Sequence, residues 1–140
     1  MKLYTSYYGK LKAIKKQNPE IVAISISTTY PRFVKNVHEL KDLAPERWVL
    51  EKTKSGEFND EDYYFHFNNK LSKGPDQIEM IEIIKKISGG KDAILLCYEK
   101  DCSTCHRSRV REWFKEAGII VSELLVHTSR QKKPTQYRLF

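Results

Sequence analysis

The chain has few of the residues that mark special classes of protein. Its 140 residues include six glycines, five prolines and three cysteines, which excludes collagen-like, low-complexity and disulfide-rich chains. It contains no apolar run of membrane-spanning length and no charged-then-apolar leader. We therefore expect a soluble protein that is not exported. An odd number of cysteines without an export signal favours reduced thiols, so the expected compartment is the cytoplasm.

Acidic residues are missing from the end of the chain. After Glu123 there are none, whereas four basic residues contribute +4 of the formal net charge of +7, which leaves +3 for residues 1–123. Two interpretations of this tail stay open. It is either a basic arm that contacts nucleic acid or a terminus that keeps the protein soluble.

Four segments predict β-strands from their β-branched and apolar content. They are residues 2–8, 21–26, 92–98 and 119–125. The third is nearly all apolar, as expected of a central strand that is covered on both faces. Helical patterns between the strands favour a mostly parallel sheet. We expect one α/β domain of about four strands over residues 1–126 and a flexible basic tail over residues 127–140.

Caps and periodicity predict the helices. Asn59, followed by three acidic residues, and Asp76, preceded by proline, are typical of helix starts. A short helix is expected around Pro45. The predicted apolar stripe of the helix after Asp76 consists of Ile78, Ile81, Ile84 and Ile87. The predicted buried side of the last helix consists of Val110, Trp113 and Phe114.

The segment from Cys97 to Arg107 is the one that suggests chemistry. It joins the carboxyl end of a central strand to a helix N-terminus, where ligands bind in open α/β sheets and anions are attracted. Arg107 in the first helical turn opposes the helix dipole, which makes sense if its guanidinium holds a phosphate or carboxylate. We therefore expect Cys97 and Arg107 to contact a ligand.

Three neighbouring residues are candidates for catalysis. Cys105, at the helix start beside His106 and Arg107, is a candidate thiolate nucleophile. Glu99 is a candidate acid, base or partner of Arg107. The alternative is structural, with both Cys97 and Cys105 buried and Glu99 paired with Arg107.

Zinc is the less favoured interpretation of the same segment. Its candidate ligands are Cys97, Cys102, Cys105 and His106. They crowd a single loop and helix start, whereas structural sites draw on two separated pairs. We expect no metal and no cofactor.

Part of this segment resembles the signature of the DUF488 family of small bacterial and phage α/β proteins. The resemblance is carried by Cys-x-Glu at residues 97–99 and Cys-His-Arg at residues 105–107. Weaker matches are Tyr4-Thr-Ser-Tyr7, Ile24-Ser-Ile26 with Pro31, Leu43-Ala-Pro45 and Tyr63, so it covers nearly residues 2–125. It implies an α/β fold and a site at Cys97, Glu99, Cys105, His106 and Arg107, without a substrate. Cys102 is not part of the pattern, which disfavours zinc further.

The loops after the first two strands are expected to open on the same edge as Glu99. Their candidate ligand-binding residues are Ser6, Tyr7, Thr28 and Arg32. Hydroxyls with an arginine suit a nucleotide or a sugar phosphate. The alternative is the ordinary polarity of loops.

The last five residues, Gln-Tyr-Arg-Leu-Phe, resemble the short peptide by which bacterial replication and repair proteins bind the sliding clamp. In that interpretation Gln136 sets the register, and Leu139 and Phe140 fill a pocket of the clamp. The alternative is that Leu139 and Phe140 are buried on the domain itself.

Together these features predict a nucleotide- or DNA-linked protein with an anion-binding Cys-His-Arg site. If it is an enzyme, we expect cleavage or transfer at a nucleotide, nucleoside or phosphoribosyl bond, with Glu99 or Cys105 as base or nucleophile. The alternatives are a non-catalytic binding module or inhibitor, and an adaptor that acts through its tail. The variant Arg107→Ala is expected to lose its ligand and still fold.

Overall fold

The computed structural model describes residues 1–98 and 106–124, which form an α/β domain built on a five-stranded parallel sheet. The strands are β1 (Leu3–Tyr7), β2 (Val22–Ser25), β3 (His38–Glu39), β4 (Ala93–Cys97) and β5 (Ser122–Glu123), in the order β3-β2-β4-β1-β5. The helices are α1 (Leu11–Gln17), α2 (Arg47–Lys54), α3 (Asp60–Lys73), α4 (Gln77–Ser88) and α5 (His106–Glu116). Short 3₁₀ turns cover Tyr8–Lys10 and Lys41–Leu43.

The central strand is β4, as its apolar sequence predicts. All five of its residues are buried, and it pairs with β1 on one side and β2 on the other. Its side chains alternate between two apolar clusters. Leu95 packs with side chains of α3, α4 and α5, whereas Ile94 and Leu96 pack with α1. Helices therefore cover both faces, the reason such strands are apolar throughout.

The sheet has one strand more than expected. β3 occupies only His38 and Glu39, both exposed, and it pairs with Ile24 and Ser25 at the end of β2. Such a strand has no apolar alternation, so only its pairing defines it. The short helix expected around Pro45 is α2, which begins at Arg47.

The predicted helix starts are confirmed, but one predicted apolar stripe is partly wrong. Asn59 and Asp76 each form a capping box, with Asp62 and Glu79 respectively. In α4, Ile78 is 61% exposed, and the residues that the structure buries are Met80, Ile84 and Ser88. Each three-residue step falls about 60° short of a full helical turn, so a run of such steps drifts off the buried face. Steps of four residues from Met80 keep closer to it.

The parallel arrangement places the ends of β1, β2 and β4 at one edge of the sheet. Tyr7, Ser25 and Cys97 end these strands, and the described part of α5 begins at His106 near the same edge. None of the helices in residues 1–98 and 106–124 has the length and apolar composition needed to cross a membrane.

Candidate ligand-binding site

A cavity of about 370 Å³ lies at the carboxyl ends of β2 and β4. It is lined by three hydroxyl residues after β2, by the residue after β4 and by the first described residue of α5. Residues from the α2–α3 region complete the wall. They are Ser27, Thr28, Thr29, Tyr98, His106, Pro45, Leu50, Lys54 and Tyr63. The wall thus combines hydroxyls, an imidazole and an amine with apolar and aromatic surface. This is the edge at which parallel α/β sheets bind ligands.

Hydrogen bonds hold the chain in place where it leaves β2. The Thr28 hydroxyl donates to the Pro45 carbonyl at 2.9 Å, and the Ser27 hydroxyl donates to the Thr29 carbonyl. Tyr8, which directly follows β1, has its hydroxyl 2.7 Å from the Ser25 hydroxyl and 2.5 Å from that of Ser27. Burial raises the pKa of Tyr8 above its usual value of 10, and its bonds to the two serines only partly oppose this.

The orientation of His106 is set by a backbone carbonyl. Its ring is 5% exposed, and its Nε2 lies 2.5 Å from the Ile26 carbonyl oxygen. A carbonyl can only accept, so Nε2 carries the proton and, in the neutral ring, Nδ1 carries the lone pair. The ring packs edge-on against Phe67, with centroids 5.6 Å apart. His106 is therefore held in one ring orientation and one tautomer at the cavity wall.

Arg107 is part of the protein interior. Its side chain is 0% exposed, and its guanidinium contacts Glu123 through Nε at 3.0 Å and Nη2 at 2.9 Å. Its Nη1 donates to the Cys97 Sγ at 3.0 Å, and the ring of Tyr7 lies 5.7 Å away. Burial by itself lowers the pKa of Arg107, but the bond to Glu123 and the neighbouring Cys97 raise it above its ordinary value. The guanidinium therefore stays charged.

These contacts correct the expected role of Arg107. Its guanidinium is not open to a ligand, and it is not among the residues that line the cavity. Because Glu123 on β5 forms a forked pair with it, the local cost of a cation at a helix start is offset within the protein. These contacts also give Arg107→Ala a cost in stability that the sequence did not indicate, since the partly exposed carboxylate of Glu123 would lose its forked partner.

A second arginine of α5 joins the same carboxylate. Arg111 Nη1 lies 3.0 Å from Glu123 Oε1 and 2.8 Å from the Thr5 hydroxyl, which in turn donates to Glu123 at 2.7 Å. Side chains of α5, β1 and β5 therefore meet at Glu123. Sequence reasoning missed Glu123 and Arg111 because the two lie in elements whose contact is tertiary.

The remaining predicted residues are divided by the structure. Thr28 and His106 line the cavity, whereas Cys97 is buried and Tyr7 is half-buried beside Arg107. Ser6 is buried outside the cavity wall, and its hydroxyl has no hydrogen-bond partner among residues 1–98 and 106–124. Arg32 is exposed and does not line the cavity. Glu99, Cys105, Gln136, Leu139 and Phe140 lie outside the described residues. In the part of the chain that the structure describes, no three His, Cys, Asp or Glu residues form a possible metal site.

Four polar or aromatic residues at this edge were missed as candidates from the sequence. They are Tyr8, Ser27, Lys54 and Tyr98, whereas Tyr63 was named as a weak match to the family pattern. Tyr8 and Tyr98 are the last residues of two predicted strands, and each follows a candidate site residue. Their position in the sequence could therefore have indicated them. Lys54 and Tyr63 belong to α2 and α3, and no local pattern indicates that these helices border the strand ends.

Comparison with known families gives one result. The family model DUF488-N3a, described as the active DUF488-N3 subclade, matches residues 7–118, which include every described residue of the cavity wall. No curated protein and no solved structure matches the chain.

Proposed function

This chain belongs to the DUF488 family, and we propose that it binds a nucleotide or a sugar phosphate in the cavity at the ends of β2 and β4. The observation that carries this proposal is the wall itself, which combines hydroxyls, an imidazole and a lysine with apolar and aromatic side chains. Its volume of about 370 Å³ is within the usual range for small-molecule sites.

The chemistry of the wall suits a phosphorylated sugar better than an apolar ligand. Thr29 offers a hydroxyl at the end of β2, and Lys54 offers an exposed ammonium group. The Thr28 hydroxyl donates its proton to the Pro45 carbonyl and can still accept from a ribose hydroxyl. A lysine attracts phosphate as a compact charge, and hydroxyls bond to phosphate and ribose oxygens alike. Tyr63 and Tyr98 provide rings against which a base can pack. We therefore assign anion binding to this wall and a structural role in the interior to Arg107.

For the reaction we propose cleavage or transfer at a nucleotide, nucleoside or phosphoribosyl bond. Glu99 and Cys105 are the chain neighbours of Tyr98 and His106, which both line the cavity. His106 supplies an imidazole at the cavity wall, Glu99 is the proposed base and Cys105 the proposed nucleophile. Since nucleotides and sugar phosphates are metabolites of the cytoplasm, we propose that the protein acts in that compartment.

The binding proposal is tested by a thermal-shift screen of AMP, UMP, ribose 5-phosphate and a short single-stranded DNA. A ligand that binds only the folded state must raise the melting temperature. We expect Lys54→Ala and Tyr98→Ala to abolish the rise. Lys86→Ala and Tyr30→Ala, at exposed positions outside the cavity wall, serve as matched controls and should preserve it. A wild-type protein that responds to no probe contradicts the proposal.

Turnover separates an enzyme from a binding module. Incubation of the bound probe with wild type, Cys105→Ser and Glu99→Gln, followed by chromatography of the products, gives the answer. Loss of product formation in either variant with binding preserved supports catalysis. Binding without any product in the wild type favours the alternative, a non-catalytic module or inhibitor.

We also propose that the chain contacts a bacterial sliding clamp through Gln136, Leu139 and Phe140. What supports this is the spacing of the three residues after a basic stretch, since short peptides of this kind bind with a polar anchor and adjacent apolar side chains. The basic residues of the tail would lie near DNA that passes through the clamp. Such a partner is consistent with a role in nucleotide or DNA metabolism.

A further inference from the structure

We infer that Tyr8 is a positioning residue that holds two walls of the cavity in place, an inference that rests on the proposed binding function. Tyr8 is 3% exposed and does not itself line the cavity. It lies directly after β1, and its side chain contacts residues at the ends of β2 and β4. Its hydroxyl reaches Ser27 on one wall, and its ring contacts Tyr98 on the other.

The hydrogen bonds around Tyr8 have only one consistent direction. The Ser27 hydroxyl donates its single proton to the Thr29 carbonyl, which can only accept. The contact of 2.5 Å between the Tyr8 and Ser27 hydroxyls therefore needs Tyr8 as its donor. The proton of Tyr8 is then used, so the contact of 2.7 Å with Ser25 needs Ser25 as the donor. The chain of bonds runs from Ser25 through Tyr8 and Ser27 to the Thr29 backbone.

This direction explains how Tyr8 acts on the cavity. Ser27 and Thr29 both line it, and the bond between them fixes the turn that presents the Thr28 and Thr29 hydroxyls. Without the Tyr8 hydroxyl, Ser27 loses its donor at 2.5 Å and Ser25 its acceptor at 2.7 Å, and the two serine hydroxyls keep their mutual contact of 3.3 Å. One long contact then replaces two short buried hydrogen bonds, so the turn is held less firmly.

The ring of Tyr8 supports the second wall. It meets the ring of Tyr98 edge to face, with centroids 5.2 Å apart and an interplanar angle of 71°, an arrangement that aromatic pairs favour. Tyr98 is 47% exposed, and its contact with Tyr8 limits where the Tyr98 ring lies at the cavity wall. One side chain after β1 thus supports residues after β2 and after β4.

The test is the variant Tyr8→Phe, which removes the hydroxyl and keeps the ring. Titration calorimetry with AMP and ribose 5-phosphate should show affinity about tenfold weaker than wild type for the bound probe, the effect expected of lost buried hydrogen bonds. The matched control is Tyr4→Phe, the same change in a half-buried residue of β1 outside this cavity, and its affinity should equal that of wild type. In a Ser27→Ala background, Tyr8→Phe should weaken binding by less than twofold, because its partner is already absent.

Amide hydrogen exchange provides a readout that does not need a ligand. We expect faster exchange at residues 27–30 in Tyr8→Phe than in Tyr4→Phe, with unchanged exchange across β4. If Tyr8→Phe does not fold, hydrogen exchange at residues 27–30 is compared between Ser27→Ala and Tyr4→Phe instead.

The outcomes separate this inference from the proposed function. If the wild type binds neither probe, the nucleotide proposal fails and the exchange data decide the role of Tyr8. If the wild type binds and Tyr8→Phe matches it in both affinity and exchange, the positioning role is overturned and the binding proposal survives.

Discussion

At the scale of single residues, Arg107 and His106 are neighbours in the chain with different structural roles. Both stand at the start of α5 and both are buried. The Ile26 carbonyl fixes the ring of His106 at the cavity wall, whereas Glu123 holds Arg107 in the interior. A cation at a helix start suggests a bound anion, and here the anion is a carboxylate of the same chain.

We expect Arg107→Met to destabilise the protein by about 1.5–3 kcal/mol, the usual cost of lost hydrogen bonds between charged groups, because Arg111 still pairs with the partly exposed Glu123 carboxylate. Urea unfolding followed by circular dichroism measures this. Arg47→Met, at an exposed position at the start of α2, is the matched control and should unfold near the wild-type midpoint. Equal midpoints for Arg107→Met and wild type would show that the pair does not stabilise the fold.

At the scale of elements, some features follow from the local sequence and others only from tertiary contacts. The capping residues Asn59 and Asp76 are readable from sequence because their side chains bond to the backbone three residues on. Strand β3, of two residues, is not readable in this way because only pairing with a neighbour defines it. The strand predicted over residues 119–125 is present as β5, but among its described residues only Ser122 and Glu123 form the strand. The predicted apolar stripe of α4 is partly wrong because tertiary packing decides which residues are buried. That packing buries Met80 and Ile84 and leaves Ile78 exposed.

We expect Asn59→Ala to lower the free energy of unfolding by about 1 kcal/mol, since the Asp62 backbone N–H loses its acceptor. The matched control is Asn69→Ala, a change at an exposed position within the same helix, which should be neutral or slightly stabilising. Both values come from urea titrations. An Asn59→Ala variant as stable as Asn69→Ala argues against an energetic role for the cap.

At the scale of the whole molecule, the parallel sheet brings distant segments to one edge. The cavity draws on the loop after β2, the residue after β4, and α2, α3 and α5. The expectation of a ligand site at this edge follows from strand order alone. Which side chains form its wall depends on how α2 and α3 lie against the strand ends, a contact between segments far apart in sequence.

The tail is tested on the whole protein. We expect Leu139→Ala with Phe140→Ala to weaken binding to a purified bacterial sliding clamp at least tenfold, because two apolar anchors are lost. Tyr137→Ala, at a position outside the pattern, is the matched control and should bind like wild type. Surface plasmon resonance measures the affinities. Equal binding by the double variant and wild type would remove the clamp from the list of partners.

By itself, the amino-acid sequence determined the α/β class, the central strand β4, the capped starts of α3 and α4, and membership of the DUF488 family. These depend on composition, on short-range hydrogen bonds and on a local signature, and all of them are present in contiguous residues. The tertiary structure alone decided that Glu123 pairs with Arg107, that Tyr8 contacts both cavity walls, and that Lys54 and Tyr63 reach the strand ends. Such contacts join residues whose separation along the chain leaves no periodic or local trace, so only packing of the folded chain selects them.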